Sequence, residues 1–168
     1  MHPATPYVGL DQTDVKILKT LLSNSRLSYR QIGEKVGVST GTVMTRIKKM
    51  EKAGVLRGYS AIVDHEKLGY ELTVLTEIVV SKGKLLEMER EIAKLPNVCC
   101  VYDVTGATDA FIVAKFRKSN ELGNFTKGLL ALPFVERANT HVVLTTVKED
   151  FVTLVELPTC LSGYLIGA

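Results

Sequence analysis

Short hydroxyl and long cationic side chains alternate with apolar ones between residues 39 and 52. At about 100° per residue, one exposed arc of a helix there carries Thr42, Thr45, Arg46 and Lys49. Small side chains let a helix approach a DNA groove closely, and arginine reaches guanine edges or phosphates. The pattern therefore predicts a helix that lies in the major groove of double-stranded DNA; the alternative is a lysine-rich face that is only solvated. The candidate contacts are Ser39, Thr40, Thr42, Thr45, Arg46, Lys48 and Lys49.

The positive charge of the chain is concentrated in the same part. Residues 1–60 hold ten Lys and Arg against four Asp and Glu, a net charge of +6. Residues 61–168 hold eleven against fourteen, a net charge of −3, and the two values sum to the +3 of the whole chain. We therefore expect the first part to meet a polyanion and the rest to do something else.

Three short helices are predicted to position these side chains. Asp11, Ser28 and Ser39 each precede apolar residues at helical spacing, which is typical of N-caps. A short connection that includes Gly37 separates the second helix from the third, as in a helix-turn-helix. The start of the second helix is a candidate phosphate site, formed by free amides, a hydroxyl and a guanidinium. Its residues are Ser28, Tyr29 and Arg30.

From residue 72 the pattern changes to two copies of one β-α-β unit. The first copy predicts strands over 72–80 and 98–105 with a helix between them; the second predicts strands over 111–116 and 135–147, again around a helix. A tight connection over 106–109 joins the copies. We therefore predict an α+β protein, with an N-terminal helix-turn-helix (winged-helix-like) domain and a C-terminal ferredoxin-like βαββαβ domain.

The face of this sheet away from its helices is predicted to be too apolar for water. Cys99, Val101, Val142 and Leu144, or their alternating neighbours, would lie on it. A second subunit is the natural cover, so we expect a homodimer. Residues 55–63 alternate loosely as a strand without a sheet of its own, which makes pairing across the dimer plausible; residues 64–70 are predicted to form a turn-rich linker.

The domains expected from these patterns are a tail over 1–9, the helix-turn-helix domain over 10–54, a hinge strand and linker over 55–71, the ferredoxin-like domain over 72–157 and an extension over 158–168. With 46% hydrophobic and 23% charged residues, the composition is that of a folded domain and excludes a disordered chain. No apolar run reaches the roughly 18 residues of a membrane helix and residues 1–8 lack a signal-peptide pattern, so we expect a cytoplasmic protein with no membrane partner.

Catalytic and metal-binding constellations are missing from the sequence. His2, His65 and His141 have no neighbouring Ser, Cys or carboxylate pattern of a nucleophile, an acid–base pair or a metal site, and no Gly-rich phosphate loop occurs. The three cysteines have neither CxxC spacing nor an even count. We therefore expect neither an enzyme nor a bound metal or cofactor.

The order of these parts resembles the Lrp/AsnC, or feast/famine, family of transcription regulators. The resemblance spans about residues 10–156 and rests on the stretches 10–18, 32–39, 43–47 and 51–56, combined with Val104-Thr105-Gly106-Ala107-Thr108-Asp109 in the second domain. It implies a homodimer that can assemble into tetramers or octamers, binds DNA through its N-terminal domains and, in many members, senses an amino acid.

The resemblance also implies an effector site between dimers, against the strand-turn-strand that carries Gly106 and Asp109. Free amides at a glycine turn can bind a carboxylate and Asp109 can pair with an ammonium, while Thr108 and Thr140 would add hydroxyl contacts. The alternative is that Gly106 and Asp109 only make the hairpin turn. The candidate effector residues are Gly106, Ala107, Thr108, Asp109 and Thr140.

Together these observations predict a sequence-specific DNA-binding regulator that is modulated by a small effector such as an amino acid. The alternative is an effector-independent, weakly specific DNA-organising protein that Lys and Arg hold on DNA.

Overall fold

The computed structural model describes residues 9–81 and 83–149, which form two compact units divided between Ala61 and Ile62. Of the predicted tail only Gly9 is described, and the predicted extension over 158–168 lies outside the described residues. No helix in the described ranges has both the length and the apolar character needed to cross a membrane.

The N-terminal unit consists of three helices that begin at the predicted caps. They are α1 (Gln12–Ser23), α2 (Tyr29–Val36) and α3 (Thr40–Lys52). Asp11 and Ser28 each form a capping box. The side chain of the cap accepts the backbone N–H of the residue three positions on, and the side chain of that residue accepts the backbone N–H of the cap. The Ser39 hydroxyl accepts the N–H of Thr42. The three predicted N-caps are confirmed.

The turn between α2 and α3 depends on two glycines. Gly37 ends α2 in the left-handed conformation, with φ of 82°, which a residue with a Cβ rarely adopts. A Cβ added to Gly33 would lie 2.6 Å from the backbone oxygen of Val38, inside van der Waals contact. The chain therefore crosses close over α2 before α3 begins.

The three helices enclose a small apolar core. Its largest members are fully buried because they repeat at helical spacing on the inner face of each helix. The buried residues of this core are Ile17, Leu18, Leu21, Ile32, Val43, Ile47 and Met50.

The C-terminal unit is a four-stranded antiparallel sheet with two helices. Its elements are β1 (Leu72–Val80), α4 (Leu85–Ile92), β2 (Val98–Asp103), β3 (Ala110–Phe116), α5 (Ser119–Leu130) and β4 (Val135–Val142). The strands lie in the order β2-β3-β1-β4, so the two β-α-β copies interleave as the ferredoxin-like arrangement requires. The predicted fold class is confirmed.

Alternation along the strands divides the sheet into two faces. One face packs on the helices around a core that includes Val74, Ile78, Ile112 and Phe116. The register then assigns the opposite side chains to what we call the open sheet face. Its apolar residues are Leu75, Val79, Cys100, Tyr102, Phe111 and Val113.

The expected composition of the open sheet face needs correction. Val101 packs against the helix-side core. The strand register shifts between Val98 and Cys100, so Cys100 and Tyr102, on either side of Val101, lie on the open side. Val142 pairs with Val74, also on the helix side, and Leu144 lies beyond the end of β4. Of the alternating neighbours, which the sequence also allowed, Cys100 and Tyr102 contribute to the apolar surface, and the rest of it comes from β1 and β3.

Three predicted strands differ from the structure by more than one residue at an end, and the one predicted over 98–105 ends at Asp103. Residues 55–63 form no strand, and none of the backbone groups from 57 to 64 makes a backbone hydrogen bond to another described residue. A strand needs a ladder partner, and the described part of the chain supplies none. The last strand ends at Val142 rather than at residue 147.

Candidate functional site

The outer side of α3 carries a polar surface that we call the α3 ridge, formed by Thr42, Thr45, Lys48 and Lys49. Burial of Val43, Ile47 and Met50 on the inner side fixes its orientation. Thr45 and both lysines are exposed, whereas Thr42 is half-buried and its hydroxyl lies 2.9 Å from the Ser39 hydroxyl. The ridge is therefore a solvent-facing row of short hydroxyls flanked by cations.

Arg46 does not belong to the α3 ridge, which corrects the sequence expectation. Its Nη1 donates to the carboxylate of Asp11 and, at 2.9 Å, to that of Asp14. The Arg46 side chain is 29% exposed and that of Asp14 is 3% exposed. The reason is its angular position: Arg46 lies between the buried stripe and the outer arc, within reach of the start of α1. Its guanidinium is occupied within the protein.

The pairing changes the electrostatics of both partners. Hydrogen bonding to Arg46 holds the pKa of Asp11 below its usual value of 3.8, with help from the N–H groups of Asp14 and Thr13. The same bonds raise the pKa of Arg46. We call Asp11, Asp14 and Arg46 the Arg46 cluster; it joins the N-terminus of α1 to the middle of α3.

The other described acidic groups of the N-terminal unit, Glu34 and Glu51, are also engaged. Glu34 lies 3.6 Å from Arg30 on the surface, and Glu51 accepts a hydrogen bond from the Tyr59 hydroxyl at 3.1 Å. Within the described residues, neither Lys48 nor Lys49 has a carboxylate within salt-bridge distance. The charges of Lys48 and Lys49 are therefore available to an anionic ligand.

The predicted phosphate site at the start of α2 is only partly available. The Ser28 hydroxyl is committed to the capping box, since it contacts both the N–H and the Oε1 of Gln31. Tyr29 and Arg30 are exposed, and the Arg30 pair with Glu34 is too exposed to hold the guanidinium strongly. The backbone amides and Arg30 remain as candidate phosphate contacts.

Sequence reasoning missed further residues near these helices. Met44 is exposed on α3 between ridge positions, and Arg57 is exposed after the helix ends. The partnership of Asp14 with Arg46 was also missed.

In the C-terminal unit, the turn between β2 and β3 is fastened to the end of β1. The Thr108 hydroxyl and the Asp109 N–H both donate to the carbonyl of Ile78, at 2.8 and 2.9 Å. Asp109 Oδ2 accepts the N–H of Val80 at 2.8 Å, and Gly106 has φ of 127°. Asp109 and Gly106 thus build the turn, as the alternative reading expected.

The same turn keeps groups that a ligand can use. Gly106 and Ala107 are exposed, and the N–H groups of residues 105–108 donate to no acceptor in the described chain. Asp109 Oδ1 has no described partner. Amides and a carboxylate oxygen at one turn are complementary to the two charged groups of an amino acid.

Thr140 is not brought to this turn, which corrects its expected role. Its hydroxyl lies 3.1 Å from that of Thr76, directly across the β1–β4 pair. Thr76 is fully buried on the helix side of the sheet, so the Thr140 hydroxyl satisfies a buried polar group instead of facing an effector.

Comparison with known families and sequences covers both units. A model described as winged helix-turn-helix DNA-binding matches residues 10–57, and one described as the Lrp/AsnC ligand binding domain matches residues 73–153. An uncharacterized HTH-type transcriptional regulator of Pyrococcus furiosus is 48% identical over 142 residues, or 84% of this chain and 96% of that protein. The HTH-type transcriptional regulator FL11 of Pyrococcus horikoshii is 35% identical, over 84% of this chain and 94% of its own.

Solved structures resemble the same two units. A transcriptional regulator of Neisseria meningitidis in complex with L-Met has a TM-score of 0.78 and 30% identity, covering 85% of this chain and 95% of its own. AsnC of E. coli has a TM-score of 0.79 and 25% identity, covering 87% of this chain and 99% of its own.

The Arg46 cluster predicts a pH-dependent stability effect. Arg46→Ala leaves the buried Asp14 carboxylate without its cation, so we expect a loss of about 3 kcal/mol in the free energy of unfolding near pH 7. The Asp11 share of this stabilisation is complete above its usual pKa of 3.8 and is lost as the pH falls through the lowered pKa. The difference between wild type and variant should therefore shrink in acid, as measured by urea unfolding across pH.

Lys48→Ala is the matched control, because it removes an exposed cation of the same helix that has no described partner. We expect it to change stability by less than about 0.5 kcal/mol. Equal stability of the two variants would contradict a structural role for Arg46.

Proposed function

The chain belongs to the Lrp/AsnC family of transcriptional regulators, and we propose that it recognises specific DNA sequences as a homodimer and that an amino acid modulates this binding. Its helix-turn-helix is the DNA-binding part and its sheet domain is the ligand-binding part. The protein works on chromosomal DNA, so we assign it to the cytoplasm.

The observation that carries the DNA proposal is the α3 ridge. Thr42 and Thr45 are short enough to let α3 approach base edges, and Lys48 and Lys49 flank them with charges unpaired in the described chain. Free amides at the start of α2 and the exposed Arg30 would hold a phosphate beside the groove. The residues proposed to contact DNA are Tyr29, Arg30, Ser39, Thr40, Thr42, Thr45, Lys48 and Lys49, with Ser28 acting through its cap.

A second candidate, an effector-independent and weakly specific DNA-organising protein, is favoured by one observation. With Arg46 occupied by Asp11 and Asp14, the ridge has no arginine for bidentate contact with guanine. Lysine contacts to phosphate bind DNA without reading its sequence. Discrimination would then rest on the threonines and on DNA shape.

Two features support a homodimer. The open sheet face exposes Leu75 and Tyr102, at 40% and 46%, beside other apolar side chains. Residues 57–64 have backbone groups unpaired within the described chain, and the same segment of a second copy would satisfy them. Assembly of dimers into tetramers or octamers is the further step that the resemblance implies, with the β2–β3 turn between dimers.

The effector proposal rests on the β2–β3 turn. Amides of residues 105–108 would hold the carboxylate of an amino acid, and Asp109 Oδ1 would hold its ammonium. Gly106, Ala107, Thr108 and Asp109 form this proposed site. The complex of the N. meningitidis relative with L-Met supports the choice of ligand class.

Removal of ridge cations should weaken DNA binding and its salt dependence. Lys48→Ala and Lys49→Ala should each lower the slope of log affinity against log salt by about 1, because each releases about one counterion fewer. A salt-titrated mobility shift on the promoter of the protein's own gene measures this. Lys19→Ala, an exposed change of the same type on α1, is the control and should leave the slope unchanged.

The same titration on random DNA separates the two candidates. A sequence-specific regulator should bind its promoter at least about a thousandfold more tightly. Equal affinity for both would reject specific recognition, and an unchanged slope in both lysine variants would remove the ridge from the interface.

The dimer proposal predicts that Leu75→Lys separates the subunits. A lysine in the centre of the open sheet face would place a charge among the apolar side chains of the interface. Light scattering at micromolar concentration should give at least twice the 18.4 kDa of one chain for wild type and one chain mass for the variant. Leu86→Lys, at an exposed position on α4, should keep the wild-type mass; a monomeric wild type contradicts the proposal.

The effector proposal predicts that Asp109→Asn weakens amino-acid binding without loss of folding. The asparagine oxygen can still accept the Val80 N–H, whereas the charge that would pair with the ammonium is gone. Calorimetry against the twenty amino acids, beginning with L-Met, should show at least about tenfold weaker binding. Asp103→Asn, an exposed neighbour at the end of β2, should bind like wild type. No heat from any amino acid with wild type would favour the effector-independent reading.

A further inference from the structure

A cleft lies between the C-terminal end of α4 and the side of α5. Its volume is about 500 Å³, within the range of pockets that hold small organic molecules. The floor is apolar, and Phe116 and Phe125 contribute aromatic rings whose centroids are 5.1 Å apart. Ile92 and Leu129, both buried, complete it. The shape and lining suit an apolar body of aromatic size.

The polar lining of the cleft is acidic and rich in acceptors. It comprises Glu91, Glu121, Asn97 and Asn124, and no described lining residue is cationic. Glu91 is already paired with Lys94 at 2.7 Å. Glu121 accepts only the backbone N–H of Arg117 through Oε2, so its Oε1 is unpartnered within the described chain. Glu121 is therefore the group that would anchor a cation.

This cleft is separate from the proposed effector turn. None of residues 104–109 lines it. Ala110, at the start of β3, is next to the turn, and Phe116 lies at the other end of that strand. The two ends are about 20 Å apart. A free amino acid also fits the cleft poorly, because its carboxylate would face Glu91 and Glu121 with no described cation in the lining.

From the apolar floor and the acidic lining, we propose that this cleft binds a small organic amine without a carboxylate, its hydrocarbon or aromatic body on the Phe116–Phe125 floor and its ammonium at Glu121. Charge-assisted hydrogen bonds to Glu121 offset the cost of drawing the ammonium out of water, and burial of the apolar body supplies the remaining affinity.

Gly128 is a position at which a substitution can fill the cleft. It lines the cleft from α5, and a Cβ placed there meets no atom within 4 Å, so a larger side chain has open space at its base. Gly123 lies on the same helix, also has nothing within 4 Å, and does not line the cleft. Gly128→Leu and Gly123→Leu therefore change α5 propensity alike, while only the first fills the cleft.

The test compares two probes of similar size and opposite charge, 2-phenylethylamine and 3-phenylpropanoate, on the full chain by ligand-observed NMR titration. We expect the amine to bind at least about tenfold more tightly than the acid. Gly128→Leu should weaken amine binding at least about tenfold, whereas Gly123→Leu should stay within about twofold of wild type. Glu121→Gln, which keeps the acceptor for Arg117, should weaken the amine but not the acid.

Several outcomes would overturn the proposal. They are no binding of the amine by wild type at millimolar concentration, equal binding of amine and acid, and equal effects of the two leucine variants. If Gly128→Leu changes only the mass in light scattering and leaves amine binding intact, the cleft is a contact between copies of the chain and the proposal fails.

Discussion

The ion pairs from Arg46 to Asp11 and Asp14 decide what α3 presents to solvent. Arg46 is the one arginine of that helix, and the start of α1 holds it where the deeply buried Asp14 needs a cation. Asp11 and Asp14 are also the two members of the α1 capping box, so helix initiation and the fixing of α3 depend on the same carboxylates. The polar surface that α3 leaves toward solvent consists of threonines and lysines.

This division of roles shapes the proposed mechanism. An arginine held by two carboxylates stabilises the angle of α3, while the ridge lysines are the groups proposed to attract phosphate. Base discrimination then depends on how closely the ridge threonines approach the groove. One helix-turn-helix makes few contacts with DNA, and the proposed homodimer would double their number.

Much of this organisation is visible in the sequence because it is local. Residues a few positions apart determine each helix cap, so the sequence predicted the helix starts after Asp11, Ser28 and Ser39. The repeated β-α-β pattern is also local, and it predicted the order of strands and helices. The partner of Arg46 was not predictable, because it lies 32 to 35 residues away and periodicity alone does not assign a side chain at the boundary of two arcs. Thr140 failed for the same reason: its partner Thr76 is set by strand register.

Features that depend on a second chain or on empty space are the hardest to predict. The strand expected over 55–63 has no partner within the described chain, and the cleft beside α5 is lined by residues from several elements that no sequence motif groups together. The direct test of the account is a crystal structure of the protein bound to DNA from its own promoter. It should show the α3 ridge in the major groove with Arg46 still bonded to Asp14. An Arg46 that leaves the carboxylates to contact a guanine, or a ridge that lies outside the groove, would contradict the account.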